Sequence, residues 1–214
     1  MLAELYQTQN KTKEVTKIYE DLVNDYAKSS FTVVDLYRHF RHRNLDDWAM
    51  KTLETGRKSL KNDYPLNLQF TELYLSQGQT DKMIEEYIEF LEVAPNNLDQ
   101  IQTSLSNNID FTDENNKESE LLKQKLLEKV KKKPNETIYA EMLIWMFIQK
   151  KQFTSAIVQA QSLDHSEGND GYRVLALGNM CLQNKNYNDA RKDIKYVVSL
   201  GDDKRSEASG VGKE

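Results

Sequence analysis

Cysteine, proline and glycine are scarce in this 214-residue chain, which has one, three and eight of them respectively. The single cysteine, Cys181, has no second cysteine with which to form an intramolecular disulfide. Few glycines and prolines are typical of packed helices with solvated outer faces, and less so of a mixed globular fold. Pro65, Pro95 and Pro134 mark helix ends, because proline lacks the amide donor and clashes with the preceding turn.

Long apolar runs are also missing. The longest, Met142 to Ile148, is far too short to span a bilayer, and no basic-then-apolar leader precedes the first helical pattern. The net charge of -5 argues against general affinity for nucleic acid, which needs clustered Lys and Arg to neutralise phosphates. We therefore predict a soluble chain with no membrane span and no nucleic-acid partner, and its compartment stays unknown.

Catalytic and metal-binding motifs are absent as well. The chain contains no Gly-rich phosphate loop, nucleophile elbow or paired-cysteine motif. His39 and His42 are three apart, but no nearby Cys or carboxylate completes a metal site. The acidic doublets Asp46-Asp47 and Glu85-Glu86 do not share a helix face, so we predict that they are solvated. These observations predict a protein that is not an enzyme and has no metal or cofactor.

What the chain does have is a recurring interval of 34 residues. Equivalent positions in the first three units are Tyr6, Phe40 and Tyr74, together with the turn residues Asn10, Asn44 and Gly78. Downstream, the same interval links Phe147 to Cys181 and Lys151 to Lys185. A fixed period of this size indicates a solenoid, in which each unit buries its apolar face against its neighbours.

Each unit reads as two helices joined by a short polar turn. Apolar residues recur at i, i+3 or i+4 and i+7, the spacing of one helix face. In the final second helix this stripe is Ala190, Ile194, Val197 and Val198. Gly and Asn suit the turns because they tolerate the left-handed conformation that ends a helix. Tyr74 and Phe147 are 73 apart where two units give 68, so we place a longer loop in the polar segment 110–116.

These patterns resemble the tetratricopeptide repeat family. The matching residues are Leu177, Gly178, Tyr187, Ala190 and Ile194 in the last unit, and Tyr74, Gly78, Tyr87 and Pro95 in the third. The chain departs from the family pattern at Ala3, Tyr37, Thr71 and Ile144, where glycine is usual, and at Gly56, where a larger small residue is expected. The resemblance covers nearly the whole chain.

The resemblance implies an all-α fold, a right-handed α-solenoid of antiparallel helix pairs. It divides a repeat domain, 1–204, into about six units: 1–29, 30–63, 64–97, 98–136 with the insertion, 137–170 and 171–204. Residues 205–214 are predicted to be a polar tail or the start of a further helix. Against the 34-residue frame both ends look unfinished, so we expect an excerpt of a longer array, or an end face that packs on another chain.

In the family that the chain resembles, first helices line a concave groove that binds a protein or peptide partner. The resemblance places these residues in the groove: Arg38, Arg41, His42, Glu72, Leu75, Glu141, Trp145, Ile148, Tyr172 and Asn179, with Phe31 and Val34 beside them. Apolar and aromatic side chains at such sites are informative because the internal core does not need them. The alternative is that they pack against the neighbouring first helix.

Arg38 to Arg43 is the densest positive cluster. Arginines at i and i+3 can grip a carboxylate or phosphate in two-pronged fashion, whereas the simpler interpretation is a solvated helix end where cations offset the dipole. The leading prediction is a scaffold that binds a partner segment in the groove. The alternative is a structural subunit that stacks end-to-end with further repeats or another chain, including self-association.

Overall fold

The computed structural model describes residues 2–61, 65–168 and 171–210, with side chains described except at 2, 4 and 202–210. These residues form helices and connecting turns and contain no strand, which confirms the all-α prediction. The helices are α1 (Leu2–Thr8), α2 (Thr12–Tyr26), α3 (Ser30–His42), α4 (Asp46–Leu60), α5 (Asn67–Ser76), α6 (Thr80–Val93), α7 (Leu98–Asn108), α8 (Lys117–Lys132), α9 (Ile138–Gln149), α10 (Phe153–Glu167), α11 (Tyr172–Gln183) and α12 (Tyr187–Gly210).

The chain divides into two compact units, Met1–Ala94 and Pro95–Glu214. The first unit holds α1 to α6. The second begins with a short 3₁₀ turn, Pro95–Asn97, and holds α7 to α12. The division falls at one of the three prolines that the sequence marks as a helix end.

The turns inside five of the helix pairs share one hydrogen-bond pattern, at the predicted 34-residue interval. In each turn a backbone amide donates to the carbonyl five residues earlier, at 2.8 to 3.0 Å. The accepting residues are Tyr6, Phe40, Tyr74, Phe147 and Cys181. The residue before each donor has positive φ: Asn10, Asn44, Gly78, Lys151 and Lys185. The hydrogen bond satisfies a carbonyl at the end of the first helix, and the positive φ confirms the predicted left-handed turn residues.

In the first unit, successive hairpins pack through their second helices. α2 contacts both α3 and α4, and α4 contacts α5, whereas α3 makes no comparable backbone contact with α1 or α5 in the described residues. The buried ring of Tyr19 on α2 shows how the first junction is made: its centroid lies 5.2 Å from that of Phe40 on α3 and 5.3 Å from that of Trp48 on α4, edge-on in both cases. Such pairs stabilise beyond simple burial of area.

Gly56 of α4 lies against Val33 of α3. A Cβ atom at this position would lie 2.6 Å from Cγ1 of Val33, a fully buried residue. Alanine, the usual small residue of such a pattern, would therefore clash with the core. The departure from the family pattern at Gly56 is explained by this contact.

The fourth repeat is irregular in the way the sequence predicts. The longer loop occupies residues 109–116, between α7 and α8. Asp110 accepts a bond from the amide of Thr112 at 2.9 Å, and Asn116 caps α8 by accepting from the amide of Ser119 at 2.7 Å. α7 and α8 each pack against α9. They do not pack closely against each other, whereas the two helices of every other pair do.

Two expectations need correction. Glu86 and Asp46 are not solvated: Glu86 is buried and Asp46 is half-buried, because adjacent residues on a helix point about 100° apart and one of each doublet turns inward. The last helix does not end at 204 either. Residues 205–210 continue α12 without a break, so they are not a separate helix, and 211–214 lie outside the described residues.

Candidate protein-interaction site

The exposed face of α3 carries an open pocket of about 270 Å³. Its lining residues are Ser30, Phe31, Val34, Asp35 and Arg38, spaced as one helix face. The Phe31 side chain is 79% exposed, although it is among the most hydrophobic residues of the unit. Ser29 accepts a bond from the amide of Thr32 and caps this helix, which fixes where the face begins. The structure therefore groups three residues that the sequence assigns to the groove: Phe31, Val34 and Arg38.

Arg38 and Arg41 differ in availability. Arg38 is exposed and makes no ion pair with any residue that the structure describes. Arg41 is half-buried and donates from Nη1 to Oδ1 of Asp46 at 2.5 Å. The two arginines are thus not an anion clamp: Arg41 is committed to α4, and Arg38 alone offers its charge outward. His42 is exposed in the last turn of α3, where a cation offsets the helix dipole.

Arg41 belongs to a charged cluster that joins α3 to α5. Burial by itself lowers the pKa of Arg41, but the bond and charge of Asp46, with Tyr37 and Glu72, outweigh it and raise that pKa. The pKa of Tyr37 is raised by burial first and then by the nearby Glu72 carboxylate. Glu72 itself is exposed on α5, as is Leu75 one turn further on. Glu72 therefore shares a surface with Arg41.

In the second unit, Glu141 and Trp145 are engaged within the chain. Glu141 on α9 accepts a bond from Arg173 on α11 at 3.1 Å. The half-buried ring of Trp145 packs edge-to-face against the ring of Phe111, a buried residue of the 109–116 loop, with ring centroids 5.3 Å apart. Ile148 is half-buried as well. These contacts favour the packing alternative for Glu141 and Trp145.

Tyr172 and Asn179 are exposed on α11, and the Tyr172 side chain is 75% exposed. Their neighbours Leu175 and Leu182 are also exposed, so α11 presents an apolar face. Sequence periodicity places all four on the same side of the helix, because they recur at i, i+3, i+7 and i+10.

The second helix of the last hairpin departs from the predicted buried stripe. Ala190 is buried, Val197 is half-buried, and Ile194 and Val198 are exposed. Sequence reasoning missed this because the repeat pattern gives the same apolar residues whether or not another hairpin covers them.

An acidic pair lies between the two helices of that hairpin. Asp189 is buried and accepts bonds from Thr154, Asn186 and Lys192. Asp193, one helical turn on, is fully buried, and neither carboxylate oxygen has a hydrogen-bond partner among the described residues. Burial, with the charge of Asp189, raises the pKa of Asp193 to about 7. Burial and these two carboxylates raise the pKa of the Cys181 thiol to about 11.

Comparison with known proteins gives a distant structural likeness. No protein-family profile and no curated protein matches the chain. A solved structure described as "MamA RS-1 ArsTM double mutant" is 18% identical, with a TM-score of 0.39, and the match covers 85% of this chain and 98% of that one. "MamA 41-end from Desulfovibrio magneticus RS-1" is 17% identical, with a TM-score of 0.40, over 85% and 97%. At this distance the likeness carries no inference about function.

Across 2–61, 65–168 and 171–210, no helix combines the length and apolar content that crossing a bilayer requires.

Proposed function

We propose that this chain is a scaffold that binds a segment of a protein partner along the exposed face of α3, with no catalysis of its own. The observation that carries the proposal is the pocket beside Phe31, Val34 and Arg38. A large exposed aromatic residue next to an exposed arginine is typical of interaction surfaces, where aromatics and Arg are enriched.

The lining residues define what the partner segment offers. Phe31 and Val34 present apolar surface, so the segment needs an apolar side chain to cover them. Arg38 needs a carboxylate. Asp35 on the same pocket disfavours a second acidic group there, because like charges at close range repel. The segment we propose is therefore apolar with a single acidic residue.

The test is a selection of peptides from a random display library against the whole chain. Selected peptides are expected to bind the native chain and to lose at least about tenfold in affinity for Phe31→Ser and for Arg38→Glu, since each removes a central contact. Circular dichroism establishes that the variants keep their helices. Lys58→Glu, an exposed charge reversal on α4, serves as the matched control. Peptides that bind all of these chains equally would refute the α3 site.

A second candidate function is assembly: stacking of the last hairpin against further repeats or another chain. The exposed Ile194 and Val198 on α12 support it, because these positions belong to an otherwise apolar stripe. Multi-angle light scattering over a range of concentrations tests the self-association form of this candidate. A mass that stays at one chain would remove it.

A further inference from the structure

Two second helices, α2 and α10, show how a hairpin is received by the one before it. On α2 the receiving residue is Tyr19, whose ring packs on Phe40 and Trp48 of the next pair. On α10 it includes Asp164, which accepts bonds from Tyr196 of α12 at 3.0 Å and from the amide of Gly171 at 2.8 Å. The receiving face is therefore an established interface inside the chain.

The receiving face of α10 has a counterpart 34 residues later on α12. On α10, Phe153, Ile157 and Ala160 lie on the same helix face as Asp164, at i−11, i−7 and i−4, and all four residues are buried. On α12 the counterparts are Tyr187, Arg191, Ile194 and Val198. Tyr187, Ile194 and Val198 are 64%, 44% and 57% exposed, and Arg191 is exposed too. We call these four residues the α12 face. It has the form of a hairpin-binding surface with no hairpin on it among the described residues.

The charges beside the α12 face indicate what it accepts. Between the first two hairpins, Glu20 of α2 pairs with Lys51 of α4 at 2.9 Å. The α12 counterpart of Glu20 is Lys195, which is exposed and makes no ion pair within the described residues. The charge is thus reversed at this end, so a hairpin with a carboxylate where Lys51 stands would complement Lys195.

The chain's own first hairpin lacks that carboxylate. Its residue at the Lys51 position is Lys17, which is exposed on α2. A second copy docking head-to-tail would set Lys17 against Lys195, and like charges at this point disfavour the contact. Glu14 also stands where Trp48 supplies the aromatic contact to Tyr19.

We propose that the α12 face binds a helical hairpin of the same repeat class whose second helix presents a carboxylate to Lys195. This inference rests on the assembly candidate above and names the chemistry of the partner. The contact combines apolar burial over Ile194 and Val198 with one ion pair at the rim.

A hairpin peptide of known docking geometry provides the probe. The peptide comprises residues 29–61, the α3/α4 hairpin that packs on α2 in the native chain, in two forms: unchanged and with Lys51→Glu. Binding to the whole 214-residue chain is measured by fluorescence anisotropy. The Lys51→Glu peptide is expected to bind about fivefold more tightly than the unchanged one, and added salt should shrink that preference.

Variants of the whole chain locate the contact. Ile194→Glu is expected to abolish binding of both peptides, whereas Lys195→Glu should reverse the preference in favour of the unchanged peptide. Val158→Glu is the matched control, because Val158 is an exposed apolar residue of α10 outside the α12 face. Two peptides of equal affinity, both dependent on Ile194, would contradict the carboxylate requirement while leaving the assembly candidate standing.

A second experiment uses two full-length chains, so that its result does not depend on whether the isolated peptide folds. A donor chain with Lys17→Glu and Ile194→Glu supplies an acidic first hairpin and a blocked α12 face. Sedimentation velocity of this donor mixed with the native chain is expected to show a heterodimer that Ile194→Glu in the acceptor abolishes. If neither donor nor peptide binds, the proposal is wrong. If the native chain self-associates through Ile194, the occupant is a second copy and the proposed partner is wrong.

Discussion

The third hairpin, α5/α6, and the last hairpin, α11/α12, place different chemistry in the same slot. Glu86 and Asp193 occupy equivalent repeat positions, 107 residues apart, and both are buried. Glu86 receives two bonds from Arg57, at 2.8 and 2.7 Å, and one from Asn67 at 2.8 Å. Asp193 has no such partner among the side chains that the structure describes. The repeat thus sets where a side chain lies, and the neighbouring hairpin decides whether its charge is compensated.

The neighbour explains the difference directly. Arg57 precedes the third hairpin at the position where Asp164 precedes the last one. Arg57 satisfies Glu86, donates to the carbonyl of Pro65 and covers the ring of Phe70 at 3.7 Å. Asp164 cannot donate to a carboxylate and is itself satisfied by Tyr196 and Gly171. The junction before the third hairpin therefore contains the Arg57–Glu86 ion pair, whereas the junction before the last hairpin contains two aspartates, Asp164 and Asp193.

Removing the cation from the first junction should have the largest effect. Arg57→Ala leaves Glu86 buried without its partner, and we expect a loss of about 3 kcal/mol in the free energy of unfolding, because breaking one half of a buried pair exposes the desolvation cost of the other. Urea unfolding followed by circular dichroism measures this.

The exposed Glu20–Lys51 pair offers a matched control for that experiment. Lys51→Ala should cost less than about 1 kcal/mol, since an exposed pair is screened by solvent. Adding Glu86→Gln to Arg57→Ala should recover part of the loss. Equal costs for Arg57→Ala and Lys51→Ala would remove the distinction between the two classes of pair.

Neutralising the second junction should stabilise the chain, depending on pH. The pKa of Asp193 is about 7 in the folded state, above the usual value for an aspartate. The folded state therefore holds a proton that the unfolded state has released, and stability falls as pH rises from about 4 through about 7. We expect Asp193→Asn to gain about 2 kcal/mol near pH 8 and nothing below about pH 3, where the carboxyl group is protonated in both the folded and the unfolded state.

Urea midpoints of the native and Asp193→Asn chains across this pH range test the prediction. Glu86→Gln is the informative counterpart, because Glu86 already has cationic and amide partners and its neutralisation should destabilise at neutral pH. A gain for Asp193→Asn that does not vary with pH would rule out titration as its cause.

Replacing the two glycines at close helix contacts should lower stability by less than Arg57→Ala does. A Cβ on Gly178 would lie 3.1 Å from Cβ of Asp193, whereas one on Gly56 would lie 2.6 Å from Val33. We expect Gly178→Ala to cost about 1 kcal/mol and Gly56→Ala about 2 kcal/mol, because overpacking strain grows as the contact shortens. Thermal unfolding of the two variants ranks them, and the reverse order would contradict the close approach of α4 to α3.

The turns should give the smallest change. Gly78 and Lys185 hold the same left-handed turn position, with φ of 67° and 58°. Since glycine has no Cβ to be strained in this region, whereas lysine and alanine do, Lys185→Gly should stabilise by about 0.5 kcal/mol and Gly78→Ala should destabilise by about 1 kcal/mol. Differential scanning calorimetry of both variants checks the signs, and like signs would be inconsistent with a shared turn geometry.

Sequence reasoning reached the features that depend on local pattern. The period predicts the five shared turns and the loop between α7 and α8, because each is encoded by spacing and by turn residues such as Asn44 and Gly78. It also predicts that Phe31, Val34 and Arg38 share one face, which needs only the helix repeat.

Features that join different hairpins lay beyond it. The Arg57–Glu86 pair spans 29 residues, and the Phe111–Trp145 contact joins a loop to a helix 34 residues away. No local signal marks such partners, so the sequence predicts Glu86 in solvent and leaves open whether Trp145 faces a groove or packs inside the chain. The sequence pattern also gave no sign that Asp193 lacks a hydrogen-bond partner among the described residues. That lack arises because Asp164, unlike Arg57 at the equivalent position, cannot donate to a carboxylate.

The single cysteine, Cys181, is a natural probe for opening of the last hairpin. It lies buried against Asp193 and stays protonated at neutral pH, and alkylating reagents attack only thiolates that they can reach. Labelling of the native chain therefore requires an opening of the last hairpin or its neighbour that exposes Cys181. With no other cysteine to compete, the rate at which one label appears reports how often such an opening occurs, without any substitution.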